Sequence, residues 1–99
     1  MAYFQVTASE LKEKAQELRS LNTRFSEESE KLSGYHNALS GMWEGETKES
    51  FSKEFLRDRS RMDSFSSAIN LYIEALLSMA SKYEEAENRN LALAGARSV

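Results

Sequence analysis

The sequence predicts an all-α protein: an antiparallel two-helix hairpin that pairs into a four-helix bundle dimer. Three observations carry this expectation. Apolar residues recur every seven positions in the first half of the chain, and at alternating steps of four and three in the second half. A glycine-bearing stretch around Trp43, Glu44 and Gly45 separates the two patterns near the midpoint. No proline occurs anywhere in the 99 residues to interrupt a helix.

The totals agree. Ninety-nine residues suit one domain but are short for a deep core, and 29% of them are charged. That composition favours amphipathic helices over an α/β fold. The net charge of −3 speaks against nucleic acid as a partner. The local basic run Lys53, Arg57, Arg59 and Arg61 reads as a solvated helix face, balanced by Glu54 and Asp58. The absence of cysteine removes disulfide and thiolate chemistry. No segment approaches the roughly 20 apolar residues of a membrane span, and Met1 to Thr7 has neither a basic start nor an apolar run. If the protein leaves the cell, it is expected to do so without a cleavable signal peptide, from a cytoplasmic pool.

The first elements follow from local signals. Met1 to Val6 reads as a short extended lead-in. Thr7 is a helix N-cap, with Glu10 completing a capping box and Val6 positioned to staple onto Leu11. The first helix covers about 8–40. Its d positions are Leu11, Leu18, Phe25, Leu32 and Leu39, and its a positions are Ala15, Asn22, Ser29 and His36. Gly34 costs about 1 kcal/mol in a helix interior, but falls at an exposed heptad position, so the helix is expected to run through it. Gly41 is the expected stop, opening a turn over about 41–46.

The second helix is expected over about 47–88, opened by Glu46 and Glu49, which suit the positive end of the helix dipole. Its stripe is Phe51, Phe55, Asp58, Met62, Phe65, Ile69, Tyr72, Leu76, Met79, Tyr83 and Ala86. Residues 89–99, rich in small side chains and carrying Gly95, read as a flexible tail of the single domain 1–99. Folding the chain back at Trp43 pairs Leu11 with Leu76, Leu18 with Ile69, Asn22 with Phe65, Ser29 with Asp58 and His36 with Phe51, and extends to Phe4 beside Tyr83. Ser29 with Asp58 is the one expected polar layer.

Several apolar residues lie off this seam: Leu21, Tyr35 and Met42 on the first helix, and Leu56, Ile73, Leu77 and Ala80 on the second. Such surface marks an interface, here with a second hairpin. Leu21, Ile73, Leu77 and Ala80 are the expected dimer contacts, and Ile73→Asp is expected to shift the protein towards monomer.

Little in the sequence points to catalysis. His36 is the single histidine and sits at a seam position, so a triad or a zinc site lacks its other members. Glu84 and Glu85 point to different helix faces. No glycine-rich phosphate loop is present. The expectation is a non-catalytic protein without metal or cofactor. Trp43 can cap the end of the seam, and Gly45 can supply a backbone shape that other residues avoid.

Near the end of the second helix stands Tyr83-Glu84-Glu85-Ala86-Glu87, which puts the phenol and the Glu87 carboxylate one turn apart on one face. A chain of about a hundred residues with two heptad helices, a central Trp-Xaa-Gly turn and a late Tyr-Xaa-Xaa-Xaa-Asp/Glu resembles the WXG family of type VII secretion proteins, also called early-secreted-antigen-like proteins. The resemblance covers nearly the whole chain. Trp43 and Gly45 match the family turn, and Tyr83 and Glu87 match the family export motif, with glutamate the less common of its two acids.

The resemblance implies a secreted substrate and dimeric adaptor of a type VII (ESX-like) system, exported folded by a membrane ATPase machine. The partner is the chain itself, or a relative in a heterodimer. Forty residues of helix separate Trp43 from Tyr83, roughly 60 Å, so the two motifs meet only if two hairpins pack head to tail. The alternatives are an intracellular coiled-coil adaptor, which needs only the heptads, and a membrane-active effector. The polar faces are not strongly basic, which argues against the latter and against stable membrane insertion.

Overall fold

The computed structural model describes residues 6–97, with side chains to residue 95. The expected lead-in Met1 to Gln5, and the contact of Phe4 with Tyr83, lie outside the described residues. Two helices form, α1 (Ala8–Ser40) and α2 (Glu46–Arg97), and there is no strand among the described residues.

The start of α1 is set by Thr7. Its Oγ1 accepts the Glu10 N–H at 3.1 Å and its carbonyl accepts the Leu11 N–H at 3.1 Å. The helix runs through Gly34 and ends at Ser40, directly before Gly41. The other helix, α2, begins at Glu46 as expected but does not give way to a tail near residue 88; it continues to Arg97. Arg89, Leu91, Ala92, Leu93 and Ala94 are strong helix formers, and no proline stops them. Leu91 is 70% exposed, so propensity rather than burial carries this last stretch.

The chain divides into two compact units, residues 1–19 with 71–99, and residues 20–70. In each, a segment of α1 runs antiparallel to a segment of α2, which makes the fold a helical hairpin. In the unit 20–70, Asn22, Ser29 and His36 are buried on α1. Asn22 meets Ser66, Ser29 meets Met62 and His36 meets Phe55. This register lies one helical turn away from the expected one, which set Ser29 against Asp58. Ser29 Oγ instead donates to the Phe25 carbonyl at 2.9 Å, and Asp58 stands outside, paired with Arg61 at 3.4 Å.

The polar layer is therefore a different one. Asn22 Nδ2 donates to the Ser66 carbonyl (3.1 Å) and to Asn70 Oδ1 (2.9 Å), and Ser66 Oγ donates back to Asn22 Oδ1 at 3.0 Å. About two turns earlier along α2, Arg59 donates to Ser33 Oγ and pairs with Asp63 at 3.2 Å and Glu30 at 3.7 Å. Arg57 and Arg61 do form the solvated basic face expected of this run, each paired with an acid on its own helix. Arg59 does not, because its side chain is only 19% exposed.

The unit formed by the two ends has an apolar interior. Ala8, Ala15, Ile73 and Ala80 are buried, flanked by the half-buried Leu11, Leu18, Leu76 and Leu77. This corrects the expected dimer contacts. Ile73 and Ala80 are 1% and 0% exposed within one chain, so they offer nothing to a second copy. The inward row of α2 is Ser52, Arg59, Ser66, Ile73 and Ala80, not Phe51, Asp58, Phe65, Tyr72 and Met79. One residue is a rotation of about 100° on a helix, and it turns this half of the expected seam outward, while Phe55, Met62, Ile69 and Leu76 of the same stripe keep half-buried places. Phe51, Phe65, Tyr72 and Met79 are all exposed.

Candidate functional site

The turn motif lies in the unit 20–70. Trp43 packs edge-on against Phe51, with ring centroids 5.1 Å apart and 74° between the planes. Phe51 lies 5.4 Å from His36, and His36 stacks on Phe55 at 4.1 Å and 6°. Trp43 thus begins a run of four rings, and it remains 39% exposed at the outer end. His36 is the seam residue expected of it, but its stacking partner is Phe55 rather than Phe51. Its Nε2 lies 3.4 Å from Ser40 Oγ, and its buried Nδ1 has no hydrogen-bond partner.

Gly45 has a positive φ of +91°. Its carbonyl accepts the Glu49 N–H at 3.3 Å, which makes it the N-cap of α2. A Cβ at this position would meet nothing within 4 Å, so it is the backbone conformation, not crowding, that calls for glycine. Two residues after the tryptophan, the chain turns and the next helix starts.

The second motif lies in the unit of the chain ends. Tyr83 is 46% exposed and lines a shallow surface groove with Met79, Lys82 and Ala86. Glu87 is not a free solvated acid. Its Oε1 accepts the N–H of Ala8, the first residue of α1, at 3.2 Å. One turn earlier on α2, Glu84 Oε2 holds Lys12 Nζ at 2.6 Å. Sequence patterning missed the Glu87 contact because it joins residues 79 positions apart. The signal was present in Ala8, which extends the row Ala15, Asn22, Ser29 and His36 by one heptad.

The remaining chemistry is sparse. Lys14, fully exposed, is held above its ordinary pKa first by the hydrogen bond to Glu17 and then by that carboxylate's charge. No cluster of three or more histidine or acidic side chains fit for a metal ion occurs among the described residues. None of the described helices is long and apolar enough to cross a membrane.

The family model described as "Proteins of 100 residues with WXG" matches residues 3–88, a span that includes both the turn motif and the late tyrosine motif. The chain belongs to the WXG100 family. No curated protein matches it. Among solved structures, this WXG100 chain is similar to the secreted protein EsxB of Bacillus anthracis, at 24% identity over 88% of this chain and 99% of that one, with a TM-score of 0.77. A single-residue variant of EsxB matches at 25% identity over 86% and 98%, with a TM-score of 0.75. The helical hairpin is therefore the fold of the family as well as the reading of the sequence.

Proposed function

We propose that this WXG100 protein is a secreted substrate of a bacterial type VII system and acts there as a dimeric, non-catalytic adaptor or co-export partner. The observation that carries the reading is the family match across residues 3–88, which spans Trp43, Gly45, Tyr83 and Glu87 together. The exposure of Trp43 and Tyr83 supports a role in recognition by the secretion ATPase.

The dimer reading rests on the outward apolar rows. In the unit 20–70, Phe25 and Phe65 meet edge-on at 5.6 Å, and Leu21, Leu32 and Leu39 continue their surface along α1. In the unit of the chain ends, Tyr72, Met79 and Tyr83 are exposed. Apolar surface of this extent is the mark of an interface. Of the contacts expected from sequence, Leu21 stays in this surface, while Ile73 and Ala80 leave it and Leu77 is half-buried. The occupant is a second copy of the chain or a relative, giving a four-helix bundle.

In such a dimer, Trp43 of one subunit lies beside Tyr83 and Glu87 of the other, forming a composite export signal. A dimer structure tests this. A separation above about 15 Å would overturn it, since side chains touch only within about 4.5 Å. The functional test is export: wild type, Trp43→Ala and Tyr83→Ala are quantified in medium and cells. Wild type is expected outside, with both folded variants retained. Retention of all three would leave an intracellular helical adaptor as the function.

A further inference from the structure

We propose that Glu87 is a latch for the first turn of α1, and that the late tyrosine motif is competent for export only when that latch is closed. The second half of this proposal rests on the export reading above; the first does not.

The first four N–H groups of any helix lack partners within it. In α1, Thr7 Oγ1 serves the Glu10 N–H. The Ala8 N–H has no such local acceptor, and Ala8 is 4% exposed, so water is largely kept from it. Glu87 Oε1 takes this donor from across the pair at 3.2 Å. A carboxylate at a helix N-terminus also meets the positive end of the dipole. One turn earlier on α2, Glu84 pairs with Lys12 of α1 at 2.6 Å.

The motif's two side chains are thus divided. Tyr83 faces outward over the groove with Met79, Lys82 and Ala86, while Glu87 is engaged inside the same chain. One turn of α2 joins them. A machine that binds Tyr83 on this surface reads a segment whose next turn is fastened to α1. The acid then certifies that the two ends of the chain are folded together, rather than serving only as a contact for the machinery.

Two substitutions separate latch from motif, because both leave a tyrosine and an acid four residues apart. Glu87→Asp keeps the charge but shortens the reach by one methylene. Ala8→Pro removes the donor at N1, a position that accepts proline. Amide exchange is measured at Glu10, Leu11 and Lys12 in the full chain, with export measured in parallel. Glu87→Asp is expected to lower protection roughly tenfold, the scale of one charge-assisted hydrogen bond, and to reduce the secreted fraction several-fold. In the Ala8→Pro background the same replacement is expected to change neither quantity. Lys12→Ala, which breaks an exposed ion pair, is expected to leave export unchanged.

Unchanged protection in Glu87→Asp overturns the latch. Lost protection with wild-type export overturns the coupling to recognition. Should Ala8→Pro fail to fold by circular dichroism, Glu87→Asp alone decides. If the wild type itself is not exported, the secretion reading fails, and exchange still decides the latch.

Discussion

Tyr72 and Ile73 are neighbours in the chain and stand on different surfaces of α2: Ile73 is 1% exposed inside the helix pair, and Tyr72 is 59% exposed outside it. Their substitutions should therefore fail in different ways. Ile73→Asp puts an unpaired charge into an apolar interior and should cost about 3 kcal/mol or more, lowering the thermal midpoint and the helical circular dichroism together. Tyr72→Asp combined with Phe65→Asp should keep the helical signal and lower the mass by light scattering from dimer to monomer. A well-folded monomer from Ile73→Asp would contradict the burial seen here.

The same pair of residues shows where sequence reading stops. The start of each helix, the N-cap at Thr7 and the midpoint turn were legible because each depends on residues within a few positions of one another, whereas the end of α2 at Arg97 was not, since no stop signal marks it. The choice between Phe51, Phe65, Tyr72 and Met79 and the row one residue later was not. Both rows have the heptad period, and a protein with two apolar surfaces does not label which one faces its own partner helix. Small residues gave the better clue: Ala8, Ala15, Asn22 and Ser29 leave room, and Met62 and Phe55 fill it. Of the candidate site, Gly45 was legible for its backbone role, whereas the Glu87 contact with Ala8 depends on tertiary pairing.

Gly45 is the second test. Its φ of +91° is costly for residues with a Cβ, while the space around that Cβ is open. Gly45→Ala should destabilise by about 1–2 kcal/mol through conformation alone. Gly45→Asn should cost less, since asparagine tolerates positive φ better than alanine. Urea unfolding followed by helical signal checks both. Equal midpoints for alanine and asparagine would point to a different cause.

The layer around Asn22 gives a coupling. Asn22→Ala leaves Asn70 Oδ1 and the Ser66 carbonyl without their side-chain donor, while the Ser66 hydroxyl keeps Ser26 Oγ at 3.1 Å, and should cost about 1–3 kcal/mol. Asn70→Ala removes one member of the same set. Because the two share a hydrogen bond, the double variant should be less destabilised than the sum of the singles by about 0.5 kcal/mol or more. Additive costs would mean that the amide pair contributes nothing in solution.

His36 makes the opposite prediction from most buried substitutions. Its ring stacks on Phe55 and contacts Phe51, while its Nδ1 is buried without a partner. A phenyl ring keeps the stack and removes the unsatisfied nitrogen. The bond it forfeits, Nε2 to Ser40 Oγ at 3.4 Å, is long, and Ser40 sits at the end of α1 where its hydroxyl can turn to water. Relief of one unsatisfied polar atom is worth about 1–3 kcal/mol, against a net value of about 1 kcal/mol for an ordinary hydrogen bond. His36→Phe should therefore raise the thermal midpoint by a few degrees, with Trp43 fluorescence reporting that the neighbouring rings stay packed. A lowered midpoint with altered Trp43 emission would show instead that the imidazole's size, and not its missing partner, sets the packing of the turn.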